Sequence, residues 1–288
     1  MTVHQIINDI IIKKLESGVI PWKPTWKIRT PMNYVSKRPY SGINQLLLAC
    51  NKYNSPYYMT FNQIKNSGSR IKEGESGHIV TFMYDPETKH EQGGSNENSD
   101  KRRSSEIHLR YYKVWNIEQT NLEITEEDFG NENEPLLKCS DILACYKDSP
   151  IIIHQDIDPH YNKRKDEIHL PDLCKFKNSE SYYATLFHEL VHSTGHVSRI
   201  NRKSLTDSTF FGSEKYGREE LVAEIGSFML CSKAQISTQT IDNCISYIQG
   251  WLKILNDDKS LLMSASKFAQ EAFNYIIGNE ISNSEWAA

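Results

Sequence analysis

The sequence lacks any long apolar run; nothing approaches the ~18 consecutive residues that a membrane-spanning helix needs, so a membrane partner is not expected. Its first residues, MTVHQIINDIIIKKLESGVIPW, carry no basic stretch ahead of the apolar part, and Asn8 and Asp9 interrupt that part. The stretch reads as an amphipathic helix rather than a secretory leader, and a cytoplasmic location is the expectation. The six cysteines (Cys50, Cys139, Cys145, Cys174, Cys231, Cys244) include no CxxC pair and no zinc-finger spacing. They read as buried or half-buried free thiols in a reducing compartment. No internal repeat is visible.

What is present is uneven. Net charge is −4, yet residues 1–84 hold 11 Lys/Arg against 4 Asp/Glu, whereas residues 125–288 hold 16 against 25. A basic front half is thus joined to an acidic back half, and only the front half suits a polyanion. With 38% hydrophobic and 24% charged residues over 288 positions, the chain suits a globular α+β protein of two domains. Residues 3–17 predict a helix with Ile6, Ile7, Ile10, Ile11 and Leu15 on one face, closed by Gly18. GINQLLLACNKY predicts a second helix, and MTFNQIKNSGS a short one stopped by Gly68. GHIVTFMY and IHLRYYKVWNI predict a β-hairpin whose polar tip, residues 85–106, reads as a mobile loop. EITEEDFGNENEP, acidic and turn-rich, is the candidate linker; it sets domains at 1–124 and 136–288 with 125–135 between them. Beyond it, PIIIHQ and DEIHLP predict strands, and helices follow over SESYYATLFHELVHST, REELVAEIGSFMLCSK, 238–256 and 260–279.

TLFHELVHSTGH contains H-E-x-x-H. Residues i and i+4 of a helix project from nearly one face, so His188 and His192 can hold one divalent ion while Glu189 reaches its water as general base. A third ligand is needed. The H-E-x-x-H-x-x-G-x-x-H arrangement fails, because Ser198 stands where its last histidine belongs, with Arg199 after it. REELVAE offers a glutamate with an acid one turn later: Glu220 as ligand and Glu224 to accept the remaining N–H of a ligand histidine. Glu219 is the competing ligand. Zn²⁺ is the default ion for this donor set, with Mn²⁺ or Co²⁺ as alternatives. Tyr161, Tyr216 and His196 are candidate substrate or oxyanion donors. DEIHLP reads either as an edge strand along a cleft or as a core strand.

The front half interleaves cations with rings: Trp22, Lys23, Trp26, Lys27, Arg29, Tyr34, Lys37, Arg38 and Tyr40. Single-stranded DNA asks for this pairing, with bases on aromatic faces and Lys or Arg along the phosphates. Asn33, Asn44 and the KEGESG stretch with Lys72 can add donors, and HLRYYK adds His108, Arg110 and Tyr112 on one strand face.

Taken together, PW (21–22), PMN (31–33), YSGIN (40–44), TFNQ (60–63), IKEGESGHIV (71–80), VWNIEQ (114–119), HYNKRKDEIHLP (160–171), YYATLFHELVHSTGH (182–196) and FGSEKYGREELVAE (211–224) resemble the antirestriction protein ArdC family of conjugative plasmids and related mobile elements. Trp115 stands where that family leads one to expect phenylalanine. The resemblance implies an N-terminal domain that binds single-stranded DNA, shared with plasmid TraC-type primases, and a C-terminal zincin-like metallopeptidase domain. It also implies a role in helping incoming DNA escape host restriction. Two alternatives stay open from the residues: a metalloprotease whose front domain docks a protein substrate, and a DNA-binding protein whose metal is only structural.

Overall fold

The computed structural model describes residues 2–23, 29–51, 53–84, 108–123, 135–206, 214–236 and 244–278. The first helix, α1 (Val3–Glu16), starts at a capping box: the Thr2 hydroxyl accepts from the Gln5 N–H, and the Gln5 side chain accepts from the Thr2 N–H. Lys13 and Lys14 occupy its last turn, where they complement the helix dipole. Gly18 leaves the helix at φ +80, a conformation open to glycine at no steric cost.

The front half is built on a four-stranded sheet of order β1–β2–β4–β3, with β1 Met32–Asn33, β2 Tyr57–Thr60, β3 His78–Tyr84 and β4 His108–Asn116. The expected hairpin is present: β3 and β4 pair antiparallel from His78↔Val114 to Tyr84↔His108. Its tip, 85–106, lies outside the described residues, as does the linker except for Pro135. Helix α2 (Gly42–Ala49) lies beside the edge strand, where the Asn44 side chain binds both the N–H and the carbonyl of Thr81 at 2.7 Å. That amide covers part of a sheet edge that would otherwise offer free backbone groups. Helix α3 (Phe61–Asn66) follows β2 directly, opened by a second capping box on Thr60 and Gln63.

The back half begins with α4 (Pro135–Cys145), a helix the sequence pattern did not announce. A three-stranded sheet follows: β5 (Ile151–His154), β6 (His160–Asn162) and β7 (Glu167–Leu170), in the order β5–β7–β6. DEIHLP therefore forms the central strand, and the edge-strand reading is overturned: β5 and β6 already use both of its sides. Helices α5 (Ser179–Thr194), α6 (Lys203–Thr206), α7 (Glu214–Ala234), α8 (Cys244–Asp257) and α9 (Leu261–Ile276) complete the fold, with α7 packed on α5 and α9. No described helix is long and apolar enough to cross a membrane. Cys50, Cys139 and Cys231 are buried free thiols, while Cys145 and Cys174 are exposed, contrary to the expectation of burial.

One apolar core runs through both halves. Ile7, Ile11, Leu15, Trp22 and Leu46 belong to the same buried cluster as Leu186, Phe187, Phe228, Leu255 and Ala269. Helix α1 packs on α8, and α2 on α9. Polar contacts bind the same seam: Asn8 donates to the Leu255 carbonyl at 2.9 Å, and Gln270 accepts from the Gly42 N–H at 2.7 Å.

Candidate metal centre

Helix α5 is opened by Asn178, whose side-chain oxygen accepts from the Ser181 N–H at 2.8 Å. Two turns further on, His188 and His192 lie one turn apart on one face and meet edge-on, with Nε2 atoms 3.2 Å apart. Glu220 reaches them from α7: its two oxygens lie 3.4 Å from His188 Nε2 and 3.4 Å from His192 Nε2. A tetrahedral ion with bonds of about 2.0–2.1 Å holds its ligands about 3.4 Å apart. Each histidine meets a different oxygen of Glu220, and one donor atom from each of the three residues lies within 4.8 Å of the others, close enough to share one ion. Among the described residues they form the one such group of His, Cys, Asp and Glu.

Electrostatics supports the same reading. Burial pulls His188 and His192 down, but hydrogen bonds to carboxylates outweigh it: Glu220 raises His188, while Glu219 and Glu220 raise His192 well above the usual imidazole value. Burial pushes Glu220 up, yet its hydrogen bonds to the two histidines hold it far below the carboxylate range. The pocket is set up for negative charge compensated by cation, and a divalent ion provides that compensation with neutral imidazoles. Glu189, 6% exposed, is close enough that its charge helps raise both histidines.

The support of His192 differs from expectation. Glu219 Oε1 lies 3.3 Å from His192 Nδ1, so this ring presents Nε2 to the site. Glu219 is in turn gripped by Arg202 through Nε and Nη2, and by the Ser204 hydroxyl. Burial would raise Glu219, but the Arg202 charge brings it down to about 2. The sequence spacing assigned this supporting role to Glu224; for His192 the structure gives it to Glu219. Glu224 meets Lys23 of the front half at 2.6 Å, and its charge helps raise the other histidine, His188. The signal that distinguishes the two acids was Arg202, fourteen positions after His188, whose approach depends on Gly195. A Cβ there would lie 2.9 Å from Arg202 Nη2 and 2.9 Å from Leu205 Cδ2. Gly195 has φ −74, so it is present for space and not for a left-handed turn.

Arg199, one residue past the position where a third histidine would fall, closes the end of α5. It pairs with both oxygens of Asp166 at 2.8 and 2.7 Å and donates to the Ser193 carbonyl. Tyr161 donates to the same Asp166 at 2.7 Å, so its hydroxyl hydrogen is committed there and not to an oxyanion. His196 Nδ1 meets the Ser198 hydroxyl at 2.7 Å. The Tyr216 side chain lies outside the described residues.

Of the front-half candidates, several are consumed by structure. Trp22 is 1% exposed and sits edge-on to Trp251, with ring centroids 5.5 Å apart. Tyr40 is 8% exposed, and burial pushes its phenol up to about 12. Neither ring offers a base a face. The Asn33 oxygen accepts from the Val35 and Ser36 N–H groups, its amide donates to Gln63, and Asn44 is spent on Thr81. Lys23 pairs with Glu224, Arg29 donates to the Asn54 carbonyl, and Lys72 to the Glu118 carbonyl. Lys37, Arg38 and Arg110 are exposed cations. Trp26 and Lys27 lie outside the described residues.

Comparisons agree with this two-part layout. Residues 1–115 match the family described as the N-terminal domain of anti-restriction factor ArdC, and residues 144–268 match the zincin-like metallopeptidase family. The chain is 29% identical to a DNA primase TraC of Escherichia coli over 96% of its own length, but spans only 27% of that protein. It is 25% identical to the Sinorhizobium fredii protein y4eC over 95% of this chain and 91% of that one. Among solved structures, the metal-free antirestriction ArdC protein of plasmid R388 superposes with a TM-score of 0.72 at 30% identity, covering 96% of this chain and 97% of that one. The Mn(II)-bound form of the same protein superposes with a TM-score of 0.73, covering 99% and 100%.

Proposed function

This chain belongs to the ArdC family of antirestriction proteins, and from that membership we propose that it binds single-stranded DNA with its front half and one divalent ion with its back half, shielding incoming DNA from host restriction. The observation that carries the metal half is the spacing of 3.2, 3.4 and 3.4 Å among the donors of His188, His192 and Glu220. These three residues would hold the ion, Zn²⁺ by donor chemistry or Mn²⁺ as in the R388 relative. Such an ion, when bound, supplies Lewis acidity and a lowered pKa for its water. Glu189 is the residue to accept a proton from that water, and Glu219 fixes the tautomer of His192. The DNA half draws support from the basic excess of residues 1–84 and from the ArdC match over residues 1–115.

The test is metal content. Purified wild type is expected to carry close to one divalent ion per chain, and His188→Ala or Glu220→Gln to lose it. Wild-type protein that stays substoichiometric after incubation with zinc and with manganese removes the metal reading. Glu189→Ala then separates proteolysis from a structural role: protection from restriction that survives this change shows that peptide cleavage is not the means.

A further inference from the structure

We propose that the single strand lies across the sheet face that carries Tyr57, Trp115, Lys113 and Tyr111, with Tyr34 and Lys37 at one end of it; this rests on the single-strand reading above. Alternation along β4 puts Trp115, Lys113 and Tyr111 on one face. Met59 of β2 is the register partner of Trp115, so Tyr57, two residues earlier, shares that face. The row extends at both ends. Tyr34 meets Tyr57 with centroids 5.7 Å apart, and Phe61 meets Trp115 at 6.3 Å.

Two rings of the row are exposed, while Tyr34, Tyr57 and Trp115 are half-buried against Met59 and Ile64. Phe61 is 57% exposed and Tyr111 46%, large apolar surfaces that folding leaves in water. The cations are placed beside the rings. Lys37 holds its Nζ 4.2 Å from the Tyr34 ring centre and 4.0 Å from that of Tyr57. It does so from a left-handed backbone, φ +54, in a turn secured by the Asn33 side chain. Non-glycine residues seldom adopt that conformation, so the turn presents Lys37 at some cost. Lys113 is exposed between Trp115 and Tyr111. Gly77, from the KEGESG stretch, makes room for the row: a Cβ there would come within 2.7 Å of the Trp115 ring and 3.0 Å of Lys113 Cβ.

Rings that alternate with cations suit a chain that alternates bases with phosphates. Unpaired bases can stack on the exposed rings of Phe61 and Tyr111 while the ammonium groups follow the backbone. A duplex keeps its base faces stacked inside and gains only the phosphate contacts, so single strands are preferred.

Fluorescence anisotropy on the full chain with a labelled oligothymidylate tests this. Phe61→Leu and Tyr111→Leu keep apolar bulk at exposed positions and remove the π face. Each is expected to weaken binding about five- to a hundredfold with an unchanged melting temperature. Lys37→Gln is expected to lower the slope of log affinity against log salt by about 0.7, one phosphate on a single strand. If wild type binds the strand and both leucine variants bind equally well, the proposed face is wrong and the single-strand reading stands. Wild type that binds no single strand overturns both.

Discussion

At the scale of single residues, the site depends on what lies behind the imidazoles. Glu219 faces inward to Arg202 and His192, while its neighbour Glu220 faces the two Nε2 atoms. Glu219→Gln leaves Arg202, only 3% exposed, without its counter-charge, and a broken buried pair costs about 3–5 kcal/mol. It also loosens the His192 ring, so metal affinity is expected to fall about 10- to 100-fold, measured by competition with a chromophoric chelator. The pH dependence has a definite sign. His188 and His192 sit above 6.5 in the metal-free fold, so their ion pairs stabilise fully below 6.5 and are lost as pH rises through the raised values. Glu220 is held below 4.5, so its contribution is present above 4.5 and lost as pH falls through the depressed value. These groups favour the metal-free protein between pH 4.5 and 6.5, whereas metal needs neutral imidazoles and binds more tightly as pH rises. Melting curves with chelator and with metal should therefore diverge as pH climbs above that window; a gap that stays constant would contradict the assignment.

At the scale of elements, the crossing of α5 and α7 sets the geometry of the proposed metal site, because each helix brings part of the candidate donor set. The two helices touch where Gly226 meets Val191: a Cβ at 226 would lie 2.8 Å from both Val191 methyls. Alanine in place of glycine ordinarily stabilises a helix by about 1 kcal/mol. Here the clash wins, and Gly226→Ala is expected to destabilise by about 1–3 kcal/mol and to weaken metal binding by pushing α7 away from α5. Adding Val191→Ala vacates the contested space, so the double variant should recover metal affinity that Gly226→Ala loses. Additive losses in that cycle would mean the helices do not meet there. The three-stranded sheet has its own lesson: β7 alternates Glu167, Ile168, His169 and Leu170, a pattern that fits an edge or a centre, and four residues of sequence do not reveal who pairs with them.

At the scale of the whole molecule, the basic and acidic halves share one core. Ile7, Ile11 and Leu15 are fully buried in the cluster that contains Leu255 and Ala269. Each such side chain contributes roughly 1.5–3 kcal/mol, so α1 alone accounts for an amount comparable to the net stability of a typical domain. Ile11→Ala, far in sequence from the metal helices, is expected to cost about 2–5 kcal/mol and to lower the one cooperative transition seen by calorimetry. Two separate transitions, with only the earlier one shifted, would show that the halves fold independently. Much of this molecule was legible in the residues. Helical spacing put His188 beside His192, apolar spacing with Gly18 and Gly68 marked α1 and α3, strand patterns marked the hairpin, and REELVAE offered Glu220, which the fold brings to the two histidines, because each of these is a local signal. Trp22, Tyr40, Asn33 and Asn44 could not be read that way: a ring on a basic segment looks the same whether it awaits a base or fills a core. The choice of Glu219 behind His192, the central place of β7 and the merging of two compositional halves around one core were decided only by tertiary structure. All three depend on which distant surfaces exclude water together, and that is a property of the packed chain and not of any window along it.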